Sequence, residues 1–402
     1  MNKLWLNWSE LDRVLQDKEV VFFGSGEWAE KTLRKINKKP LCILDNNELM
    51  QNTHMNDVKI VPPDYVNKIK KEFIILITTG SYKSVIRELD EKGFKKADDY
   101  YCSPVLYNQK IEYEIKNNKQ KLLFTCSQVP NDESNNSGGG LYIFDMDKNS
   151  IQKRLSGKFH ELVVTDNKYY ILDEFEGIKI FDKNFNYIKT YEGLPGSIMH
   201  GLSYNEEDNL LYVGNTGRDS ISIIDEKSGD LLKEIFISKK YQEGNVDKHH
   251  INDLHYYKGD LFISMFSFSG LWREGVYDGG IAKMDLNKEK ITHYPKSDLW
   301  MPHSVNFING EIVFVDSMRG DVYKTNNKKL VNVNGFVRGL AYDGKYYYIG
   351  QSEHRYFDRL KDVSNNIHLN CGIHLYDPIH KASRFYSFEN LTNIHSIKIL
   401  DQ

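Results

Sequence analysis

Two short patterns recur through the last two thirds of the chain, and their recurrence restricts the fold more than any other feature. The first is apolar-x-apolar-x-Asp after a glycine or polar turn: LYIFD (Leu141 to Asp145), IKIFD (Ile178 to Asp182), ISIID (Ile221 to Asp225), IAKMD (Ile281 to Asp285) and IHLYD (Ile373 to Asp377), with a degenerate copy at Asp321 to Lys324. The second is one polar residue followed by an alternating strand, led in turn by His160, His200, Asn252, His303, Arg338 and His395. The leading residues recur about every 47 residues on average, a blade-sized period. Six such units of short strands predict a six-bladed β-propeller over residues 121–402. The 26 tyrosines and 20 phenylalanines, set mostly in alternating runs with only 9 prolines, fit that β-rich reading. The ends fit as well. Residues 121–156 supply three strands of a blade that lacks its first, and His395 to Leu400 is a first strand with nothing after it. The C-terminal strand is therefore expected to complete the N-terminal blade and close the ring, which removes free sheet edges.

In a propeller the first strand of each blade lines the central channel, so the six leading residues should meet at one mouth. The loops between second and third strands return to that face. They carry Asp173, Glu174, Arg218, Arg273, Asp316, Arg319, Glu353, His354 and Arg355, while His249 and His250 stand just before Asn252. His160, His200, His250, His303, His395 and Arg338 are thus the candidates for catalysis. Neutral imidazoles suit zinc, manganese or iron. Because Arg338 would repel an ion on the axis, an off-axis set of His200, His250 and His303 is the expected divalent-metal site. Arg218, Arg273, Arg319 and Arg355, with Asn252 and Asp316, are the expected substrate-binding residues, since guanidinium groups pair with carboxylate or phosphate through two hydrogen bonds. The plainer alternative is that histidines at strand starts tie neighbouring blades together and recur by duplication. The polar insertion 131–140, which holds Asp132 and Glu133, reads as a solvated loop, and the aspartates that end each repeat read as turn formers.

Residues 1–110 have another pattern, and 111–120 read as a linker. Continuous apolar runs at Val20 to Phe23, Leu41 to Leu44 and Phe73 to Ile77 alternate with helical periodicity, as in a parallel sheet covered on both faces. Gly24-Ser25-Gly26-Glu27-Trp28-Ala29 forms a G-x-G-x-x-A turn between strand and helix, with Asp45 about 20 residues on, the place of a dinucleotide fingerprint. Gly24, Gly26 and Asp45 are the expected contacts for a nucleotide or nucleotide sugar, although a tight turn capped by Asp45 needs the same residues.

The string VVFFGSGEWAEKTL, with LDNN after the second run and ITTG after the third, resembles the small Rossmann-like domain that precedes sugar acetyltransferases and accompanies other polysaccharide-biosynthesis enzymes. HHINDL (249–254), MPHSVNF (301–307), VDSMRGDVYK (315–324) and NGFVRGLAY (334–342) resemble motifs of an uncharacterised bacterial six-bladed propeller-like family in which His-x-Asn-Asp-Leu and Met-Pro-His-Ser recur. That resemblance implies a fold and no activity. Val305 and Asn306 stand where Pro-Arg is expected in relatives.

The chain of 402 residues carries 53 basic and 56 acidic side chains, which argues against a nucleic-acid binder. No apolar run approaches the roughly 20 residues needed to span a bilayer. Its 4 cysteines form no C-x-x-C pair, and with no apolar leader at the start a cytoplasmic location is expected. Neither G-x-S-x-G nor H-E-x-x-H occurs. The expected function is a metal-assisted lyase, epimerase or hydrolase of carbohydrate metabolism, acting on a small anionic sugar or nucleotide-linked sugar at the channel mouth. The alternative is a non-catalytic ligand-sensing or protein-interaction propeller.

Overall fold

The computed structural model describes residues 3–130, 136–196, 198–238, 246–324, 328–360 and 366–400. Asp132 and Glu133 lie outside the described residues. The chain divides into two compact units, Met1–Lys116 and Asn117–Gln402.

The first unit holds strands β1 (Glu19–Phe23), β2 (Ile43–Leu44), β3 (His54–Met55), β4 (Val58–Val61), β5 (Phe73–Ile77) and β6 (Tyr100–Cys102). They form one sheet in the order β3-β4-β2-β1-β5-β6. All pairings are parallel except that of β3 with β4. Without that hairpin edge the order is the doubly wound one, reversing between β1 and β5. The continuous apolar runs explain it. Val21, Phe23, Ile75 and Ile77 pack with Tyr82, Val85 and Leu89 of the Tyr82–Glu91 helix on one face. Val20, Phe22, Ile74 and Leu76 pack with Leu11 and Ala29 on the other. A strand buried on both faces has no use for alternation.

The second unit is a six-bladed propeller, six antiparallel sheets of four strands each. Five blades begin with Phe159–Val164, Met199–Asn205, Ile251–Tyr257, Pro302–Ile308 and Phe336–Tyr342. The sixth takes its first strand from the C-terminus: Ile397–Leu400 pairs antiparallel with Lys121–Pro130, Ile397 opposite Phe124 and Leu400 opposite Lys121. First strands of successive blades touch around the ring. Aromatic side chains bridge the blades: Tyr170 with Tyr204 at 5.8 Å, Tyr212 with Tyr256 at 5.5 Å and Phe262 with Phe307 at 4.8 Å between ring centroids. The repeat aspartates close turns. Asp182 Oδ1 accepts from the amides of Asn184 and Asn186, Asp225 Oδ1 from Lys227 and Ser228, and Asp377 Oδ1 from Ile379 and His380.

Candidate functional site

Each of the five inner strands that open a blade breaks register at or beside its leading residue. The shifts fall between Phe159 and Leu162, Met199 and Gly201, Ile251 and Asp253, His303 and Asn306, and Arg338 and Leu340. A bulge turns a side chain out of the strand's alternation and re-aims it, so a polar residue leaves the packed faces of the blade. The consequence is a closed circuit of side chains. His160 lies 4.3 Å from His200 and 4.2 Å from His395 between ring centroids. His200 is 5.3 Å from His250, and His250 is 4.1 Å from Phe266. Phe266 is 5.4 Å from His303, which is 5.8 Å from Phe336. The Arg338 guanidinium stands 4.9 Å from the Phe336 ring, and its Nη1 donates to His395 Nε2 at 3.1 Å. Asn252 Nδ2 joins by donating to His303 Nε2 at 2.7 Å.

Hydrogen bonds assign the protons. A carbonyl only accepts, so His303 Nδ1, 2.9 Å from Met301 O, carries the hydrogen and Nε2 is the acceptor for Asn252. A guanidinium only donates, so His395 Nε2 is bare; Ser127 Oγ approaches it to 2.7 Å. Glu174 Oε2 accepts from His160 Nε2 at 3.1 Å, and Asp247 Oδ2 accepts from His250 Nδ1 at 2.9 Å. Among the described residues the Nδ1 atoms of His160 and His200, Nε of Arg338 and Oδ1 of Asp247 are buried without a hydrogen-bond partner. Buried polar atoms normally have one.

Burial is the main cause that holds His200, His303 and His395 well below the ordinary histidine value, and the charges of Arg338 and neighbouring histidines act in the same direction. Burial lowers His160 too, against the pull of Glu174. It acts to raise Glu174, but His160 and Lys158 outweigh it and keep that carboxyl below its usual value. Burial, followed by the charge of Arg355, depresses the Arg338 guanidinium to about 10.

The five arginines separate into two groups. Arg218 Nε donates to Glu234 at 2.7 Å, Arg273 Nη2 to Asp247 at 2.9 Å, and Arg319 Nη1 to Asp316 at 3.1 Å. Asp316 is wholly buried and also accepts from the Trp300 amide; burial pushes its carboxyl up to about 7 although Arg319 opposes the rise. Arg218, Arg273, Arg319 and Asp316 thus already have partners within the protein. Among the described residues no carboxylate lies within ion-pair distance of Arg338 or Arg355.

The metal-competent atoms are also grouped differently from the expected set. His160, Glu174 and His200 each offer a ligating atom, all within 4.8 Å of one another. His303 is committed at Nε2 to Asn252 and at Nδ1 to Met301 and Ser317, while His250 is turned to Asp247. His249 anchors its own loop, with Nδ1 at 3.0 Å from Asp219 Oδ2. The pairing of Glu174 with His160 had only one signal in the sequence, a carboxylate in a loop returning to the mouth. Asp247 and Ser127 had none.

In the first unit Gly24 has φ +107°, and a Cβ there would come within 2.6 Å of Thr79 Cβ, so the turn needs glycine. Asp45 Oδ2 accepts from the Ser25 amide at 2.7 Å and from the Ser25 hydroxyl at 2.5 Å. Gly26 is the N-cap of the Glu27–Leu33 helix, whose first turn carries Glu27 and Glu30. The carboxylate of Asp45 thus sits on the loop amide that a phosphate would use.

Fold and mouth together define a class: a six-bladed propeller with a histidine-arginine centre at one end of its channel, on a chain that begins with a small, mostly parallel α/β sheet. Residues 162–402 match the family described as Domain of unknown function (DUF4915), and the chain belongs to that family. Among solved structures, a protein of unknown function from Bacteroides caccae is 14% identical, with 71% of this chain and 100% of that one covered at a TM-score of 0.51. A chain of a Nidogen/Laminin complex is 11% identical, with 69% and 98% covered at a TM-score of 0.49. These are likenesses of fold. No curated protein matches. Among the described residues no helix is long and apolar enough to cross a membrane.

Proposed function

We propose that the chain is an enzyme that acts on an anionic sugar or nucleotide-linked sugar by lyase, epimerase or hydrolase chemistry, with the acid group of the substrate at Arg338. The supporting observation is a guanidinium set among histidines with no carboxylate partner among the described residues. A charge removed from water without a partner costs several kcal/mol, and an incoming carboxylate or phosphate would offset that cost through paired, charge-assisted hydrogen bonds. His250, with Nδ1–H held by Asp247, keeps Nε2 as its basic atom, the arrangement of a general base oriented by a carboxylate. Where no metal is bound, His160, held by Glu174, is the second candidate for moving a proton.

The donor set of His160, Glu174 and His200 is two imidazoles and one carboxylate, which suits zinc, manganese or iron. The unpartnered Nδ1 atoms of both histidines fit such an ion. When bound there, it would supply Lewis-acid polarisation of a substrate oxygen. The glycine loop of the first unit has no part in this reading, because Asp45 already occupies its amide.

Elemental analysis of the purified protein tests the metal: a stoichiometric transition metal is expected in the wild type and its loss in a His160→Ala, His200→Ala double variant. Absence of metal, together with a melting temperature unmoved by hexuronic acids, sugar phosphates and nucleotide sugars, would overturn the enzyme reading in favour of an interaction or sensing propeller.

A further inference from the structure

We infer that a cavity beside the ring seats the neutral sugar ring of the substrate while its acid group reaches Arg338; this rests on the reading of Arg338 given above. The cavity measures about 470 Å³, within the range of small-ligand pockets. It adjoins the ring through His354, whose ring lies 5.5 Å from Phe336, the residue beneath the Arg338 guanidinium.

The wall chemistry selects the occupant. Glu353, Glu389, His354, Asn370, Phe357 and Phe388 line it, and among the described residues no lysine or arginine does. Neither carboxylate has a cationic partner among the described residues. An acid group would therefore meet two like charges here and none to offset them. A polyhydroxylated ring meets what it needs: carboxylate and amide oxygens that accept from hydroxyl groups, and aromatic faces for its C–H side. His354 contributes its ring to the wall; its Nδ1 accepts from the Tyr356 amide at 3.1 Å, so Nε2 carries the hydrogen, and that buried atom has no partner among the described residues. The ligand class is thus a hexuronic acid, or a sugar unit bearing an equivalent acid, with its ring in the cavity and its charge outside it.

Calorimetric titration of the full chain with inorganic phosphate and with glucuronate, galacturonate and mannuronate tests this. Phosphate probes Arg338 alone, and the hexuronates probe both places. At least one hexuronate should bind more tightly than phosphate, and its Kd should rise about ten-fold in a Glu353→Gln, Glu389→Gln double variant and in Phe357→Ala, sites chosen because these side chains are exposed. Phosphate binding should be unchanged in those variants, and Arg338→Gln should abolish binding of both. Hexuronate binding that is lost in Arg338→Gln and untouched by the cavity variants would overturn the cavity assignment and leave the anion site standing. Failure of the wild type to bind either probe, or binding retained in Arg338→Gln, would overturn both.

Discussion

Arg338 shows how a single residue can be costly to the fold and useful to a ligand. Its guanidinium donates to a neutral imidazole where a carboxylate would serve stability better. A guanidinium held partly out of water with no carboxylate partner among the described residues costs the fold free energy that an apolar side chain would not. Arg338→Leu should therefore raise the denaturation midpoint in urea while abolishing anion binding; a lower midpoint would mean that the guanidinium is a structural tie. His200 gives a second prediction at this scale. Its Nδ1 has no hydrogen-bond partner among the described residues, and burial, then the charges of His160, His250, Arg338 and His303, holds it well below the ordinary value. The folded state thus keeps it neutral, whereas the unfolded chain protonates it near pH 6.5. Its contribution is intact above that pH and declines as pH falls through and below it. With any metal removed by chelation, the stability of the wild type relative to His200→Gln should be constant above about pH 7.5 and should fall progressively from about pH 6.5 downward. A difference that stays flat to pH 5 would contradict a neutral imidazole in the half-buried ring.

The element that makes the site is the bulged inner strand. One bulge beside each leading residue frees a polar side chain, and the residues that follow stitch the blades together. Asp253 Oδ2 accepts from the Val305 amide of the next blade at 3.0 Å, and Ser304 Oγ accepts from the Gly339 amide of the blade after that at 2.9 Å. Asp253→Ala should cost about 1–3 kcal/mol, since it leaves a buried amide unpaired; chemical denaturation measures it, and an unchanged midpoint would remove Asp253 from the inter-blade belt. The ring was legible in the sequence at this scale because a single polar residue at a fixed place in each repeat is a periodic signal, and topology converts that period into proximity. The partners were not legible. Glu174 and Asp247 sit in connections of unequal length, where no register fixes what faces what. The ligand grouping was hidden for a related reason: in the structure His303 is bonded to the Met301 carbonyl and to Asn252, contacts that depend on local backbone geometry. For the arginines, long side chains found carboxylates near at hand, and only the two without them could be separated by structure.

For the whole molecule, ring closure is the decisive feature. The strand Ile397–Leu400 belongs to the blade that begins the propeller, so the two ends of the repeat array hold each other. Removing residues 395–402 should expose the edge of Lys121–Pro130, delete His395 from the ring and yield a protein that loses its cooperative melting transition; a cooperative transition at the wild-type temperature would show that closure contributes little. In the small α/β unit the two readings of the glycine motif share their residues. Its glycine turn was visible as G-x-G-x-x-A, yet the acidic residue at the fingerprint position is consumed by that turn, as Asp45 and Ser25 show. What the propeller concentrates at its mouth is imidazole around the Arg338 guanidinium, which has no carboxylate partner among the described residues. A crystal structure obtained with selenate, whose selenium reveals its position by anomalous scattering, tests that account most directly. The account predicts selenate oxygen within about 3 Å of Arg338 nitrogen. Selenate bound elsewhere, or an Arg338 paired with a carboxylate of the protein, would contradict it.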